Sequence, residues 1–387
     1  MKKTIEQIEV AGKRVLMRVD FNVPMEGENI TDDRRIRMVL PSIRSVIDRD
    51  GSLTLMSHLG RPAGNGFEQE WSLAPIAARL SELLEQPVAC TDDDSTSRIV
   101  LLENLRFNKG EIDGDQKFAS QLASKGDIYC NDAFGTAHRD HASMVGVPKA
   151  MKGKPRVAGI LLARELQYLD HVLSNAQQPF VAVLGGSKVS DKMDAIENLI
   201  GTVDTILIGG AMSYTFLLAR GEEMGNSLIE ADRVNDARAM LALAATSSTE
   251  LILPFDHICT QQIVLGSSIQ VVTSPIPSGW IGVDIGPETI ATYTKLLKQA
   301  KTIVWNGPLG VFEIETFDLG TRQIAEAIVA ATNSGATSIA GGGDTASAIT
   351  AFGLEGQMTH ISTGGGASLQ MLEGKAFSSV ELLDENV

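Results

Sequence analysis

The sequence FVAVLGG, residues 180–186, joins five apolar residues that suit a buried strand to a pair of glycines. The same order returns in TILIGG at 205–210, in TSIAGGG at 337–343 and in THISTGGG at 359–366. Glycine lets the backbone approach a ligand closely, and a helix that follows directs free N–H groups toward it. One such loop is usually only a tight turn, but four in one part of the chain favour a mononucleotide site.

Short apolar or β-branched runs alternate with helical periodicity along the rest of the chain. Strands are predicted at 14–19, 52–56, 127–130 and 302–305, and helical patterns at 73–84 and 192–200. This alternation is typical of βαβ units, and so predicts an α/β fold with parallel sheets flanked by helices. A length of 387 residues favours two domains of roughly 150–200 residues each.

Composition excludes several classes of protein. Hydrophobic residues make up 43% and charged residues 21%, which is ordinary for a globular protein. The longest apolar stretch, 205–219, is interrupted by Gly209, Gly210, Ser213 and Tyr214, so no membrane span is predicted. The first ten residues lack the apolar core of a secretory signal. Three cysteines without a CxxC pair indicate reduced thiols in a cytoplasm and argue against a cysteine metal site.

Charge is distributed unevenly along the chain. The net charge of −15 argues against general binding to nucleic acid or to anionic membranes. Through Arg164, 23 basic and 23 acidic residues balance, whereas the remainder has 10 basic and 25 acidic residues. Fourteen of the 18 arginines lie in the first part. Arginine grips carboxylate and phosphate with two parallel hydrogen bonds, so the first part is favoured for a small anionic substrate.

Polar side chains follow several predicted strands in this first part. They are Asp20 and Asn22 in RVDFNVP, His58 and Arg61 in SHLGRP, Arg106 in ENLRF, and His138 and Arg139 in NDAFGTAHR. Arg35, in DDRRIR, lies instead at a predicted helix start. Any one of them is usually structural or solvated. Because the carboxyl ends of parallel strands meet at one edge of a sheet, their recurrence there predicts an anion site with several donors.

Two motifs in the later part suggest phosphate chemistry. The segment GGGDTA at 341–346 fits the dinucleotide pattern GxGxxA only weakly, because Asp344 would repel a pyrophosphate unless a cation intervened and no acidic residue follows about 20 positions later. Asp344 could cap a helix or bind Mg²⁺ beside a phosphate. In GGSKVSDK, Lys188 and Lys192 are four residues apart, which predicts one helical face with an anion between them or simply two exposed lysines.

Taken together, eight segments resemble the phosphoglycerate kinase family, in order, from about Val10 to Lys375. They are RVDFNVP, SHLGRP, ENLRF, NDAFGTAHR, GGSKVSDK, WNGPLGVFE, GGGDT and STGGGASLQMLEGK. The resemblance implies two Rossmann-like domains, each a parallel sheet flanked by helices. Residues 1–164 with a tail of about 370–387 would bind phosphoglycerate, the amphipathic segment 165–178 would form a connector helix, and 179–369 would bind nucleotide.

The resemblance also implies an activity. It is the reversible transfer of the acyl phosphate of 1,3-bisphosphoglycerate to Mg-ADP, giving 3-phosphoglycerate and Mg-ATP in glycolysis and gluconeogenesis. The implied cofactor is Mg²⁺, with ATP or ADP as co-substrate. A cytoplasmic monomer that closes like a hinge is expected, without nucleic-acid or membrane partners.

Residue roles follow from the same resemblance. The phosphoglycerate pocket would comprise Asp20, Asn22, Arg35, His58, Arg61, Arg106 and Arg139, with Arg35 nearest the reacting carboxyl. The catalytic set would add Lys188, which accompanies the moving phosphoryl group, and the helix start at Gly364, Gly365 and Gly366. The nucleotide contacts would be Gly185, Gly186, Lys192, Gly210, Asn306, Pro308, Glu313, Gly342, Gly343, Asp344 and Thr345, with Glu313 on the ribose and Asp344 as metal ligand.

Three positions depart from the family pattern, and two other functions remain open. Gln370 replaces Glu near the expected hinge, Ala211 replaces Gly near the adenine pocket, and Glu288 replaces Lys. A nicotinamide-dependent oxidoreductase is supported only by the GxGxxA match. A nucleotide-binding scaffold without turnover is disfavoured by the presence of both Lys188 and Arg35.

Overall fold

A computed structural model describes residues 1–91, 97–362 and 364–386 of the chain. The chain divides into two compact units. The first unit contains Met1–Gln167 and Ala376–Val387, and the second contains Tyr168–Lys375.

The first unit is built around a parallel sheet. Its strands are β1 (Arg14–Val19), β2 (Met25–Glu26), β3 (Asn29–Ile30), β4 (Ser52–Met56), β5 (Ala89–Cys90), β6 (Ile99–Leu101), β7 (Ile128–Asp132) and β8 (Arg156–Ala158). Six of them form the sheet in the order β5-β6-β4-β1-β7-β8, and β2 pairs with β3 in a separate ribbon. Strand β1 is central and buried from Val15 to Val19, as expected for a parallel sheet covered on both faces.

Helices surround this sheet. They are α1 (Arg34–Ile47), α2 (Ala74–Leu84), α3 (Lys109–Ile112), α4 (Gln116–Ala123), α5 (Val147–Ala150) and α6 (Ile160–Asn175), the last of which contains the division between the units. The apolar face of α1 buries Ile36, Val39, Ile43 and Val46 in the core beside β1. This spacing of three and four residues is the one that the sequence periodicity predicts for an amphipathic helix.

The second unit contains a larger set of strands. They are β9 (Phe180–Leu184), β10 (Thr205–Ile208), β11 (Glu250–Ile252), β12 (Asp256–Thr260), β13 (Ile269–Thr273), β14 (Ile281–Ile285), β15 (Thr302–Asn306), β16 (Thr337–Gly341) and β17 (His360–Ile361). A six-stranded parallel sheet has the order β11-β10-β9-β15-β16-β17. Strands β13, β12 and β14 form a second, antiparallel sheet in that order.

The helices of the second unit complete its α/β layers. They are α7 (Met193–Leu199), α8 (Met212–Ala219), α9 (Val234–Ala245), α10 (Pro287–Leu297), α11 (Leu319–Asn333), α12 (Gly343–Ala351) and α13 (Gly366–Leu372). Tyr293 on α10 is fully buried, and its hydroxyl donates to the carbonyls of Ile208 and Ile252 at 2.7 and 3.0 Å. Among the helices of the described residues, none is long and apolar enough to cross a membrane.

The chain returns to the first unit after Lys375. Helix α14 (Ser378–Glu381) anchors this segment, because the Ser379 hydroxyl donates to the carbonyl of Ala137 at 2.6 Å. Asp384 accepts from the backbone N–H and the guanidinium of Arg156, both at 2.9 Å. The first unit is therefore assembled from two segments that are far apart in sequence.

The predicted fold class is confirmed: both units carry a six-stranded parallel sheet with flanking helices. The bounds predicted for β1, β4, β9 and β10 are the observed ones, while β7 begins one residue later than predicted and runs on to Asp132. The antiparallel sheet of β12, β13 and β14 was not predicted. Along β13, residues alternate between exposed and half-buried, so this strand lacks the buried apolar run that marks the parallel strands.

Candidate active site

Polar side chains of the first unit meet at the carboxyl ends of β1 and β4. Asp20 directly follows β1, and its carboxylate accepts from the Arg35 guanidinium at 2.8 Å. Arg35 is the second residue of α1, as the sequence indicates. His58 follows β4 and is 3% exposed, with its Nδ1 3.8 Å from the Asp20 carboxylate. Strand ends and a helix start thus bring together three residues that are distant in sequence.

A glycine links two further members of this pocket. The backbone N–H of Gly60 donates to Asn22 Oδ1 at 2.9 Å, and the carbonyl of Gly60 accepts from the Arg106 guanidinium at 2.6 Å. Arg61 directly follows and is exposed. Arg139 Nε donates to His138 Nε2 at 3.4 Å.

The basic side chains lie close enough to perturb one another. Burial lowers the pKa of His58 well below its ordinary value, and the charges of Arg18, Arg106, Arg139 and Arg35 lower it further. Burial, followed by the charges of Arg139 and Arg18, lowers the pKa of Arg106 to about 10. An anion bound among these side chains would relieve their mutual repulsion, which is the electrostatic property of an anion site.

The second unit contains a cleft of about 390 Å³ at the carboxyl ends of its parallel strands. It is lined by Gly185, Gly186, Ser187, Lys188, Asp191, Lys192, Asn306, Gly307, Gly342, Gly343, Asp344, Thr345, Gly365, Gly366, Leu369, Gln370 and Glu373. Eleven of the predicted catalytic and nucleotide residues are therefore brought together here.

Close backbone contacts form the floor of this cleft. The backbone N–H of Gly186 donates to the carbonyl of Pro308, and that of Gly185 to the carbonyl of Asn306, both at 2.9 Å. A Cβ atom on Gly185 would lie 2.2 Å from the Pro308 carbonyl oxygen. Gly210 packs behind the same turn, where its Cβ would lie 2.5 Å from the Gly186 carbonyl oxygen. Gly210 and Pro308 therefore support the cleft from behind rather than line it.

The prediction that Lys188 and Lys192 share a helical face is wrong. Helix α7 begins only at Met193, with Lys192 at its N-cap and Lys188 in the preceding loop. Ser190 holds that loop in a turn, because its backbone N–H and hydroxyl donate to the Glu230 carboxylate at 2.9 and 2.7 Å. Both lysines nevertheless line the cleft, and burial lowers the pKa of Lys192 while the nearby carboxylates act to raise it.

The helix-cap alternative for Asp344 is also wrong. Helix α12 begins at Gly343, and Gly342 is its N-cap with a φ of 98°, which favours glycine. Asp344 lies in the first turn and lines the cleft. Beside it, the Thr345 hydroxyl accepts from the backbone N–H of Gly307 at 2.7 Å. Of the two roles that the sequence motif allowed for Asp344, the helix cap is therefore excluded. Its carboxylate lines the cleft.

Asn306 presents an unsatisfied donor to this site. It ends β15, is 2% exposed and lines the cleft. Its side-chain Nδ2 is buried without a hydrogen-bond partner among the described residues, and it lies 3.3 Å from where a Cβ on Gly342 would be. A buried amide donor of this kind is costly unless a ligand oxygen accepts its proton.

The remaining predicted residues differ in whether they line the cleft. Gly365 and Gly366 line it, while the backbone N–H of Gly364 donates to the Ser362 hydroxyl at 3.1 Å. Glu313, predicted to contact the ribose, is exposed and is absent from the residues that line this cleft.

Some cleft residues were not predicted from the sequence. Asp191 and Glu373 add carboxylates, and Glu373 pairs with Lys375 at 2.7 Å, which in turn pairs with Asp194 of α7 at 2.9 Å. Both new residues lie inside quoted motifs, Asp191 in GGSKVSDK and Glu373 in STGGGASLQMLEGK, so the motif was the available signal. Gln370, one of the three departures from the family pattern, also lines the cleft.

The other two departures from the family pattern lie elsewhere in the second unit. Ala211 directly precedes α8. Glu288 lies in the first turn of α10, where its backbone N–H donates to the Asp256 carboxylate at 3.0 Å. Glu288 is therefore part of a helix start rather than of the cleft.

Comparison with known proteins gives one consistent result. The family model described as phosphoglycerate kinase matches residues 5–375. Phosphoglycerate kinases of Rhodopirellula baltica and Chlorobium limicola are 54% and 50% identical to the chain, each covering 99% of it and 99% and 100% of the relative. The solved structure of phosphoglycerate kinase from Coxiella burnetii aligns with a TM-score of 0.90 at 41% identity, covering 99% of this chain and 98% of that one.

These findings define a class, the phosphotransferases that use a carboxyl group as acceptor. Within that class, the chain belongs to the phosphoglycerate kinase family. The reaction of the family is reversible transfer of the acyl phosphate of 1,3-bisphosphoglycerate to ADP, a step of glycolysis and gluconeogenesis.

Proposed function

We propose that the first unit binds the phosphoglycerate substrate in its basic pocket and that the second unit binds ATP or ADP in its glycine-lined cleft. The observation that carries this assignment is the cleft itself, which combines Lys188, Lys192 and Asp344 with several glycines. Glycines and a helix start suit the phosphates of a nucleotide, which approach the backbone closely. The arginine pocket suits the smaller anion, because guanidinium groups bind both carboxylate and phosphate.

The basic pocket offers contacts to both ends of a phosphoglycerate. Asp20, Asn22, His58, Arg61, Arg106 and Arg139 would hold the substrate. Arg35 is half-buried, and the hydrogen bond to Asp20 restrains the direction of its guanidinium. It would lie nearest the reacting carboxyl and stabilise charge on its oxygens.

In the second unit, Lys188 would accompany the phosphoryl group as it moves. A transferring phosphoryl group spreads its charge over three oxygens, so positive charge and directed N–H groups do most of the catalytic work. Gly365 and Gly366, at the start of α13, would supply such N–H groups, whereas the N–H of Gly364 donates to the Ser362 hydroxyl in this structure. In the direction that makes ATP the nucleophile is an oxygen of ADP that is already ionised, and no general base is required.

Mg²⁺ fits the carboxylates of the cleft. Within the described residues, no group of three or more His, Cys, Asp or Glu could hold a metal. Mg²⁺ in kinases is typically bound by one or two carboxylates, several waters and substrate phosphates, and Asp344 would be its protein ligand. The ion would neutralise charge on the nucleotide phosphates.

Phosphoryl transfer requires the two ligands to meet. The proposed phosphoglycerate residues belong to one compact unit and the proposed nucleotide residues to the other. Reacting atoms must come within about 3–3.5 Å while water is excluded, since water would hydrolyse ATP. We therefore propose a hinge-like closure driven by both ligands together, with α6 and the chain after Gly366 as the hinges. A cytoplasmic monomer without nucleic-acid partners completes the proposal.

A coupled kinase assay tests the proposed function. Purified protein is given 3-phosphoglycerate and Mg-ATP, and ADP formation is followed through a linked enzyme system. We expect turnover that requires all three of 3-phosphoglycerate, ATP and Mg²⁺. Turnover without 3-phosphoglycerate, or none with all three present, would contradict the assignment.

A further inference from the structure

Arg18 is a buried charge beneath the basic pocket of the first unit. It lies on β1 and is 0% exposed. Its Nε donates to the Ser143 hydroxyl at 2.8 Å, and one terminal nitrogen donates to the carbonyl of Val19. The other terminal nitrogen lies 3.2 Å from His58 Nδ1. Each of the three guanidinium nitrogens of Arg18 thus has a partner within the protein, and His58 is the partner that belongs to the pocket.

This contact fixes which nitrogen of His58 carries the proton. A guanidinium group has five donors, has no acceptor and stays protonated in proteins. His58 Nδ1 must therefore accept the hydrogen bond, which leaves the proton of a neutral imidazole on Nε2. The second ring nitrogen of His58 is then a hydrogen-bond donor.

A buried carboxylate stands behind Arg18. Glu111 of α3 is 0% exposed and lies 4.0 Å from the Arg18 guanidinium. It accepts from the Ser143 hydroxyl at 2.6 Å and from the Ser143 backbone N–H at 2.9 Å. Because this hydroxyl donates to Glu111, its lone pairs face Arg18 Nε. A buried arginine needs such a counter-ion, since an unpaired charge is expensive to bury.

We propose that Glu111, Ser143 and Arg18 form a relay that positions His58 as an Nε2–H donor to an oxygen of the anionic substrate. The relay rests on the proposed function, in which His58 contacts phosphoglycerate. Glu111, Ser143 and Arg18 are positioning residues, because they act through His58. The basic pocket thereby gains a neutral hydrogen-bond donor, the Nε2–H group of His58, which the buried residues beneath the pocket orient.

The first measurement is the tautomer of His58. Protein labelled with ¹⁵N-histidine is examined by long-range ¹H–¹⁵N NMR at pH 7, and the His58→Asn variant identifies the His58 signals. We expect a protonated Nε2 and an unprotonated Nδ1. A proton on Nδ1, or on both nitrogens, would overturn the relay.

The second measurement uses a matched pair of serine variants. Ser143→Ala removes the hydroxyl between Arg18 and Glu111. The control is Ser42→Ala, because Ser42 is equally buried in the same unit and its hydroxyl bonds another buried carboxylate, Asp132. We expect Ser143→Ala to shift the His58 ¹⁵N signals and to weaken 3-phosphoglycerate binding about tenfold, as loss of one hydrogen bond to a charged group does. Binding of ADP should not change.

The outcomes separate the relay from the proposed function. The relay is overturned if Ser143→Ala leaves the His58 signals in place, or if Ser42→Ala shifts them equally. If Ser143→Ala fails to fold, Glu111→Gln is put through the same two measurements with the same expectation. In the wild type, 3-phosphoglycerate should also shift the His58 signals. An Nε2–H tautomer that no phosphoglycerate perturbs would support the contacts from Glu111 through Ser143 and Arg18 to His58, but it would contradict both donation from His58 to substrate and the proposed function of this pocket.

Discussion

The two proposed anion sites are built in opposite ways. The first gathers long charged side chains, with Arg35 held by Asp20 and His58 backed by Arg18. The second uses the backbone, with Gly185 packed so closely against Pro308 that a methyl group has no room. Binding in the first unit should therefore respond most to substitutions that change a charge. Binding in the second unit should respond most to substitutions that add side-chain volume. The predictions below test this contrast, from the largest expected effect to the smallest.

Lys188 is the exception in the backbone-built cleft, since its charge would follow the moving phosphoryl group. Lys188→Ala should lower kcat by roughly 10²–10³ while changing the binding of both substrates little, because the contact strengthens only in the transition state. Steady-state kinetics with both substrates measures this. Lys298→Ala, at an exposed lysine just after α10, is the control. A near-normal kcat in the Lys188 variant would remove the assigned role.

Gly185→Ala tests the sensitivity to volume. The added Cβ would meet the Pro308 carbonyl, so the floor of the cleft must shift, and a displacement of about 1 Å can cost roughly 10² in activity. Calorimetry should show weaker ADP binding and unchanged 3-phosphoglycerate binding. Gly356→Ala is the matched control, since its Cβ would have no neighbour within 4 Å. Equal ADP affinity in both variants would mean that the close packing has no functional role.

Asp344→Asn separates charge from shape within the same cleft. Because Gly342 is the N-cap of α12, the change removes no cap. We expect Mg-ADP to bind about 10- to 100-fold more weakly, the scale seen when residues of a metal site are altered. Affinity for ADP measured without Mg²⁺ should stay the same or rise. If both affinities are unchanged, Asp344 is not a metal ligand.

The smallest expected effect is a difference in pH dependence between the units. Burial raises the pKa of Asp132 in the first unit to about 7 and that of Asp284 in the second to about 8. A carboxyl whose pKa is higher in the folded state binds more protons there, so its contribution to stability is full below about pH 4 and is lost as the pH rises through these values.

Native-state amide exchange on β7 and β14 measures this effect in each unit. Between about pH 5 and 8, wild-type protection should fall relative to Asp132→Asn on β7 and to Asp284→Asn on β14, with the second difference extending to higher pH. Parallel pH profiles for wild type and variants would show that these carboxyls are ionised in the folded protein.

Sequence reasoning placed residues correctly where their position follows from local motifs. The glycine loops after β9 and β16, and the polar residues after β1 and β4, could be read from strand ends alone. Sequence reasoning failed where the backbone conformation decides which side chains share a face. The four-residue spacing of Lys188 and Lys192 implies a shared face only within a helix, and the turn held by Ser190 and Glu230 delays that helix to Met193.

Other features were beyond local reasoning for a different reason. Glu111 and Ser143 lie on separate elements, and the hydrogen bond from Arg18 to Ser143 spans 125 positions of sequence. A single sequence records no such pairing. Arg18 did give one signal, a charged residue between Met17 and Val19 in the apolar part of a predicted buried strand, which indicates a buried partner elsewhere.

The segment that returns to the first unit has a consequence for the order of synthesis. A ribosome makes every residue of the second unit, Tyr168–Lys375, before it reaches Ala376. The contacts of Asp384 with Arg156 and of Ser379 with Ala137 can therefore form only after the whole second unit has been made. Synthesis of the first unit begins before that of the second but ends after it. While the second unit is being made, the nascent first unit therefore lacks the contacts of its C-terminal segment.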